Sequence, residues 1–136
     1  MKYLLDTNVV SELSRQEPDA KVAAFFHGLP QEKLHLSVLT LGEIRKGVEL
    51  LPDGAKKKRY TLWLERALPE AFDGRILPVD QEVAEAWGHL GAKAKRSLPA
   101  VDSLIAATAL AHGLHLLTRN LRDFEGSGVE ATDPWA

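Results

Sequence analysis

Five acidic residues stand at positions where α/β proteins often carry out chemistry, the ends of strands and the beginnings of helices. Asp6 and Asp80 each directly follow an apolar run that predicts a strand, and Asp123 comes shortly after another such run. Asp102 lies in the first turn of the most apolar predicted helix, and Glu43 lies on the helix after the second strand. If the fold brings these carboxylates together, they form an acidic site.

The predicted topology gives a reason for most of these acids to meet. In a parallel sheet the carboxyl ends of the strands share one edge, and the amino ends of the crossover helices lie there too. Asp6, Asp80 and Asp123, which follow strands, are therefore expected at that edge together with Asn120. Asp102, at the start of a helix, is expected there too, with Glu43 within reach. Two carboxylates about 4 Å apart repel by roughly 4 kcal/mol at an effective dielectric near 20. Such a cluster needs a bound cation or shared protons.

The available donor atoms narrow the choice of cation. The chain has no cysteine, and none of its five histidines is expected at the carboxyl end of a strand. The ligands would therefore be oxygen atoms, which favours Mg²⁺, with Mn²⁺ as a substitute. A hydrated Mg²⁺ held by a few carboxylates polarises a phosphodiester and helps to generate hydroxide, so the pattern favours hydrolytic phosphoryl chemistry.

Each acid also has a purely structural alternative. Asp6, Asp80 and Asp123 are suited to capping a helix or a turn. Asp102 is suited to the positive end of a helix dipole. Glu43 is one turn from a lysine with which it can form an ion pair. Spacing alone leaves these alternatives open.

The elements that must position these residues follow from the hydrophobic pattern. Strands are predicted at residues 3–5, 34–37, 75–79 and 115–118, with a further one at 129–131. Helices are predicted at 9–15, 21–26, 39–51, 56–69, 82–94 and 98–111. Because strands alternate with helices and no tight two-residue hairpin signal occurs, we expect an α/β fold. The prediction is a single domain over residues 1–136, with a mostly parallel sheet of four to five strands flanked by helices on both faces.

Three local features give sharper expectations. Pro78 predicts that the third strand lies at an edge of the sheet or has a distorted end. Pro69 is expected to end the helix that begins at residue 56. The helix at 82–94 is expected to bury Val83, Trp87 and Leu90.

Composition limits the function classes. The chain is 45% hydrophobic with a formal net charge of −2, so no bulk basic character indicates a nucleic-acid binder. An anionic substrate would need a local basic patch or a metal ion. Without cysteine, thiol catalysis and disulfides are excluded. There is no secretory signal pattern and no apolar run near the roughly 18 residues of a membrane span, so we expect a soluble cytoplasmic protein.

Four ordered blocks of the sequence resemble a known family. They are LLDTNVVSEL at 4–13, SVLTLGEIRKG at 37–47, DSLIAATA at 102–109 and LTRNLRDF at 117–124. Together with the ending Asp133-Pro134-Trp135, they are similar to the PIN-domain ribonucleases, in particular the VapC/FitB-like toxins of bacterial toxin–antitoxin pairs. The resemblance covers nearly the whole chain.

The resemblance implies roles for individual residues. Asp6, Glu43 and Asp102 occupy the principal acidic positions of the family, with Asp6 and Asp102 as direct Mg²⁺ ligands. At the fourth position many relatives have an acid where this chain has Asn120, so either Asp123 replaces it or Asn120 orients a water. The supporting polar residues are Thr7, Asn8, Thr118 and Asn120.

The resemblance also implies the partners. It predicts an Mg²⁺-dependent endoribonuclease toxin that forms a homodimer, is blocked by a small antitoxin and cleaves RNA. Arg119 and Arg122 are the expected phosphate contacts, in preference to the lysine-rich run 56–59. The alternatives are a non-catalytic module that binds RNA or protein, and an aspartyl-phosphate phosphatase. The phosphatase would require a second acid two positions after Asp6, where this chain has Asn8.

Overall fold

Five short strands form one sheet at the centre of the molecule. The computed structural model describes residues 1–136, and the strands are β1 Tyr3–Leu5, β2 Leu34–Ser37, β3 Ile76–Leu77, β4 His115–Leu117 and β5 Ala131–Thr132. All neighbouring pairs are parallel, in the order β3-β2-β1-β4-β5. The α/β prediction with a parallel sheet is confirmed.

Seven helices connect the strands. They are α1 Thr7–Leu13, α2 Ala20–Phe26, α3 Val38–Glu49, α4 Ala55–Leu62, α5 Leu68–Ala71, α6 Gln81–Lys93 and α7 Ala100–His112. A 3₁₀ turn at Leu121–Phe124 follows β4. None of the helices has the length and apolar character needed to cross a bilayer.

The central strand β1 is buried on both faces, as its uninterrupted apolar sequence predicts. Leu5 packs into a core with Val9 and Ile44, between the sheet and the helices that include α1 and α3. Leu4 packs into a second core with Ile105 and Leu116, on the α7 side. Successive side chains of a strand point to opposite faces, so the two leucines serve both cores. Packing on both faces fixes the position of β1 and of Asp6, the residue that follows it.

Proline has different consequences at two places. β3 pairs only with β2 and lies at an edge of the sheet, as Pro78 predicts. The prediction that Pro69 ends its helix is wrong, because the chain continues through a π-helical turn, Trp63–Ala67, into α5. Pro69 lies in the first turn of α5, where the missing N–H is tolerated.

The expected burial on α6 is correct for two residues and wrong for the third. Val83 is fully buried and Leu90 is 6% exposed, but Trp87 is 45% exposed. The apolar spacing places all three on one face of the helix, yet the large ring of Trp87 extends beyond the part of that face that the core covers. Asp80 caps α6 by accepting a hydrogen bond from the Val83 N–H at 3.1 Å, as its capping alternative predicts.

Candidate acidic active site

Asp6 combines a capping role with a buried position at the carboxyl end of β1. Its side chain is 6% exposed, and Oδ1 accepts a hydrogen bond from the Thr7 N–H at 2.8 Å. Oδ2 accepts from the Thr118 hydroxyl at 2.8 Å and from the Asn8 amide at 3.4 Å. Both oxygens are therefore held in fixed positions by the first two residues of α1 and by the residue directly after β4. The capping and site interpretations of Asp6 are compatible.

Thr118 joins the end of β4 to the turn that follows. It is fully buried, donates to Asp6 Oδ2 and accepts a hydrogen bond from the Asn120 N–H at 3.1 Å. A buried threonine directly after an apolar strand is the sequence signal for this role. Its hydroxyl fixes both the Asp6 carboxylate and the start of the 3₁₀ turn.

We expect Thr118→Val to lower the free energy of unfolding by about 1.5–3 kcal/mol, the range for hydrogen bonds to charged groups. Valine keeps the shape of threonine but leaves Asp6 Oδ2 without its nearest donor. Urea denaturation at pH 7.5 measures the change. Thr108→Val is the matched control, because Thr108 is equally buried but its hydroxyl donates only to the Leu104 carbonyl of its own helix. Equal losses in both variants would contradict the role given to Thr118.

Glu43 reaches the site from α3. It is exposed, and Oε1 accepts a hydrogen bond from the Thr7 hydroxyl at 2.5 Å. Thr7 Oγ1 also lies 3.2 Å from Oγ1 of the buried Thr40. The alternative in which Glu43 pairs with Lys46 is not observed, and the residue next to Glu43 in the site is Thr7. Thr40 was missed at the sequence level, where its only signal is its position one turn before Glu43.

Asp102 is half-buried in the first turn of α7. Burial, and then the negative charges of Asp6, Asp123 and Glu43 in that order of importance, together raise its pKa to about 6. An ordinary aspartate ionises near 3.8. Asp102 is therefore partly removed from water and within electrostatic reach of the other three acids.

The pKa of Asp6 is also raised, mainly because burial disfavours the charged carboxylate. The hydrogen bonds from Thr118 and Thr7 lower it, and the charges of Glu43 and Asp123 raise it. The charges of Glu43 and Asp123 thus raise the pKa values of both Asp6 and Asp102. The fold therefore brings Glu43 and Asp123 within electrostatic reach of both Asp6 and Asp102.

The structure distinguishes the contributions of Asp123 and Asn120. The charge of Asp123 raises the pKa values of both Asp6 and Asp102. Asn120 is exposed and contributes its backbone N–H to Thr118. Asp123 therefore acts on the other acids through its charge, and Asn120 reaches the site through Thr118.

The turn that carries Asp123 is held by a distant arginine. Arg96 donates from Nε to the Glu125 carbonyl at 3.1 Å and from Nη2 to the Arg122 carbonyl at 2.5 Å. These two carbonyls flank Asp123 in the chain. The contacts span 26 to 29 residues of sequence, and no local pattern predicts them.

The two expected RNA-binding arginines differ in their surroundings. The Arg119 guanidinium lies 5.0 Å from the centre of the Trp135 ring, a cation–π arrangement. The Arg119 N–H donates to Asn8 Oδ1 at 3.3 Å, which joins this residue to the Asp6 end of the site. Arg122 is exposed on the 3₁₀ turn beside Asp123. Both residues are thus close in sequence to Asp123, and the backbone of Arg119 contacts a neighbour of Asp6.

Comparison with known proteins places these features in a family context. Residues 3–126 match the family model of the PIN domain. A VapC ribonuclease from Sinorhizobium fredii, Y4jK, is 38% identical over 97% of this chain and 96% of its own length. The structure of FitAcB from Neisseria gonorrhoeae is 40% identical, covers 98% of both chains and has a TM-score of 0.90. A toxin–antitoxin complex from Klebsiella pneumoniae is 28% identical with a TM-score of 0.68, covering 98% of both chains.

Proposed function

The chain belongs to the PIN-domain family, and from this premise we propose that it is an Mg²⁺-dependent endoribonuclease acting as the toxin of a toxin–antitoxin pair. One observation carries the proposal. The buried Asp6 carboxylate is fixed at the carboxyl end of β1 within reach of the charges of Glu43, Asp102 and Asp123. Repulsion among these carboxylates destabilises the folded chain, and a bound cation would relieve it.

The donor set fits a hydrated divalent cation. No three His, Asp or Glu side chains are grouped closely enough to hold one ion by direct bonds alone. Mg²⁺ usually keeps several waters and takes one or two carboxylates, so Asp6 and Asp102 as the two direct ligands suit it. When bound, such an ion polarises a phosphodiester and lowers the pKa of a bound water. Mn²⁺ is the expected substitute.

The residues of the chain then have separate tasks. Asp6 and Asp102 would hold the ion, and the hydrogen bond from Thr118 fixes the Asp6 carboxylate. Glu43, which accepts a hydrogen bond from Thr7, would accept another from the attacking water, and Asp123 would add negative charge. The products expected from water attack on RNA are a 3′-hydroxyl and a 5′-phosphate.

RNA is the proposed substrate, with Arg119 and Arg122 as phosphate contacts. The stacking of Arg119 on Trp135 restricts its motion and so reduces the entropy lost when it meets a phosphate. Because the net charge of the chain is −2, binding depends on this local pair of cations. Affinity should therefore decrease with rising salt, with a small slope.

The proposed protein partners are a cognate antitoxin and a second copy of the chain. A cleft of about 450 Å³ opens beside the site, lined at one end by Thr7 and Glu43 and at the other by Tyr60 and Trp63. An antitoxin segment lying in this cleft would cover Glu43 and exclude RNA. We propose the cleft as the antitoxin contact.

The test is to incubate purified, antitoxin-free protein with total cellular RNA, with Mg²⁺ or with EDTA, and to map the new ends. We expect new 5′-phosphate ends with Mg²⁺, loss of cleavage with EDTA, and recovery when Mg²⁺ or Mn²⁺ is restored. Full cleavage in EDTA would overturn the metal-dependent mechanism. Metal-independent RNA binding without any product would favour the non-catalytic alternative.

The aspartyl-phosphate alternative has less support. Its general acid would stand at Asn8, an amide that donates to Asp6 Oδ2 and accepts from Arg119. An amide cannot exchange the proton that this chemistry needs. Covalent trapping of a phosphoryl mimic on Asp6 would revive that mechanism.

Arg96→Ala is expected to lower RNA cleavage by about 10- to 100-fold, the usual cost of losing a residue that orients a catalytic group. The substitution removes both hydrogen bonds that hold the turn around Asp123. Initial rates on a fixed RNA substrate measure the effect. Lys95→Ala is the matched control, because it removes a neighbouring exposed cation that makes no such bonds. Equal rates in the two variants would show that the turn needs no such support.

A further inference from the structure

Trp87 is an exposed aromatic side chain that is held in one orientation. Its ring is 45% exposed, although a tryptophan on the core-facing side of a helix is usually covered. The indole N–H donates to Ser103 Oγ at 3.0 Å, and the Ser103 hydroxyl donates to the Ala100 carbonyl at 2.8 Å. The polar group of the ring is thus satisfied while much of the ring stays accessible.

The hydrogen bond joins Trp87 to the turn of α7 that also carries Asp102. Ser103 is the residue after Asp102, and consecutive Cα atoms are only about 3.8 Å apart. The first turn of α7 therefore presents Asp102 to the acidic cluster and anchors Trp87 at the same time. Trp87 is therefore linked to Asp102 through adjacent residues of one helical turn.

A cleft of about 430 Å³ opens between α6 and the start of α7. Trp87, Gly88 and Gly91 line its α6 side, and Ala100 and Ser103 line its α7 side. A Cβ added at either glycine would meet nothing within 4 Å, so the space beside the helix is open. No acidic side chain lines the cleft, in contrast to the site next to it, and Arg96 provides a cation.

We propose that this cleft binds one unpaired nucleobase of the RNA substrate, stacked on the face of Trp87. The proposal rests on the proposed ribonuclease function and adds a subsite to it. A rigid aromatic ring is a suitable platform because every base has a π face, and proteins that bind single-stranded nucleic acid use such rings repeatedly. Since the indole N–H is already bonded to Ser103, Trp87 contributes stacking and does not select among bases by hydrogen bonding. The stacked base fixes the neighbouring phosphodiester beside Asp102.

The first test compares Trp87→Ala with Trp87→Phe on a short labelled single-stranded RNA that the wild-type protein cuts. We expect Trp87→Ala to raise KM by about 5- to 100-fold, the effect of losing one base–aromatic stack. The value of kcat should change little, because stacking stabilises the bound substrate and the transition state alike. Trp87→Phe keeps a π face and should stay within about 3-fold of wild type in KM.

A second test fills the cleft without touching Trp87. Gly91→Leu should raise KM for the same RNA because the new side chain occupies the space proposed for the base. The melting temperature should not fall, because leucine is a better helix former than glycine and the position is open. The control is Leu62→Ala, which removes an exposed apolar side chain from α4, away from this cleft. It should leave KM unchanged.

Abasic substitutions in the RNA identify the stacked base. In the wild type, removing one particular base should weaken binding, and in Trp87→Ala the same removal should have no further effect. If the wild type cuts RNA but Trp87→Ala and Gly91→Leu keep its KM, the nucleobase subsite is wrong and the ribonuclease function stands. If the wild type neither cuts nor binds RNA, the ribonuclease function itself fails. If Trp87→Ala instead dissociates a dimer in sedimentation, the surface contacts a second copy and the subsite is again wrong.

Discussion

Asp6→Asn is expected to lower RNA cleavage by about 10³-fold, the upper end of the cost of removing one preorganised electrostatic group. The substitution removes a negative charge and one ligand oxygen from the centre of the acidic cluster. The fold should survive it. The asparagine Oδ1 can still accept from the Thr7 N–H, and its amide can donate to the Thr118 hydroxyl, so only the longer hydrogen bond from the Asn8 amide is lost.

The control for this experiment is another aspartate at the end of a strand. Asp80 follows β3 and caps α6 through the Val83 N–H, and its charge does not act on Asp6 or Asp102. Asparagine is an equally good capping residue, so Asp80→Asn should keep both stability and cleavage. Initial rates and urea denaturation for both variants measure the two effects separately. Undiminished cleavage by Asp6→Asn would remove Asp6 from the mechanism.

The central part of the fold is predictable because its residues have few alternatives. The run Tyr3–Leu5 has no polar residue, so only a strand covered on both faces satisfies it, and the structure places β1 there. Pro78 has no N–H to donate to a neighbouring strand, and β3 ends at the residue before it and lies at an edge of the sheet. In both cases one physical constraint leaves few arrangements.

Other local features depend on contacts that spacing does not determine. Pro69 is a helix terminator only where its missing N–H would break a hydrogen bond. The π-helical turn before α5 instead bonds the Leu68 N–H to the Trp63 carbonyl and places Pro69 at a tolerated position. Trp87 lies at helical spacing from Val83 and Leu90, but spacing does not reveal how far the core extends along α6. Ser103, which satisfies the indole, is 16 residues away.

The residues of the acidic site also differ in how far the sequence predicts their positions. Asp6, Asp102 and Asp123 could be expected at one edge from the parallel topology, since strand ends and helix beginnings meet there. Glu43 depended on the family resemblance, because a helix leaves the direction of an exposed side chain open. The role of Arg96 could not be predicted from the sequence, because its hydrogen bonds to the turn around Asp123 join parts of the chain that no sequence pattern relates.

Asp102→Asn is expected to abolish RNA cleavage and yet to raise the melting temperature of the metal-free protein by several degrees at pH 7.5. Burial and the charges of Asp6, Asp123 and Glu43 all disfavour the ionised Asp102 carboxylate in the folded chain. Asparagine keeps the size of the side chain and removes this repulsion. A gain in stability that accompanies a loss of activity is the mark of a site whose charges serve function at the expense of the fold.

The decisive measurement is the pH dependence of the difference in melting temperature between Asp102→Asn and the wild type. The folded pKa of Asp102 is raised to about 6 from an ordinary value of 3.8, so the folded state binds a proton more tightly than the unfolded state. The stability that this group contributes is complete below about pH 4 and is lost as the pH rises through about 6. Asp102→Asn has no such loss. Its melting temperature in EDTA should therefore exceed that of the wild type by a margin that grows between pH 4 and pH 7 and then levels off.

Adding Mg²⁺ should reverse the order of the two proteins at pH 7.5. A cation that binds only the folded wild type stabilises it by about 2.7 kcal/mol at a concentration one hundred times its Kd, whereas the variant lacks a direct ligand and gains less. Melting curves of both proteins across a magnesium titration measure this without any RNA present. If the margin between them is the same at every pH and is unaffected by Mg²⁺, the carboxylates are not electrostatically coupled and the cation is not held by Asp102.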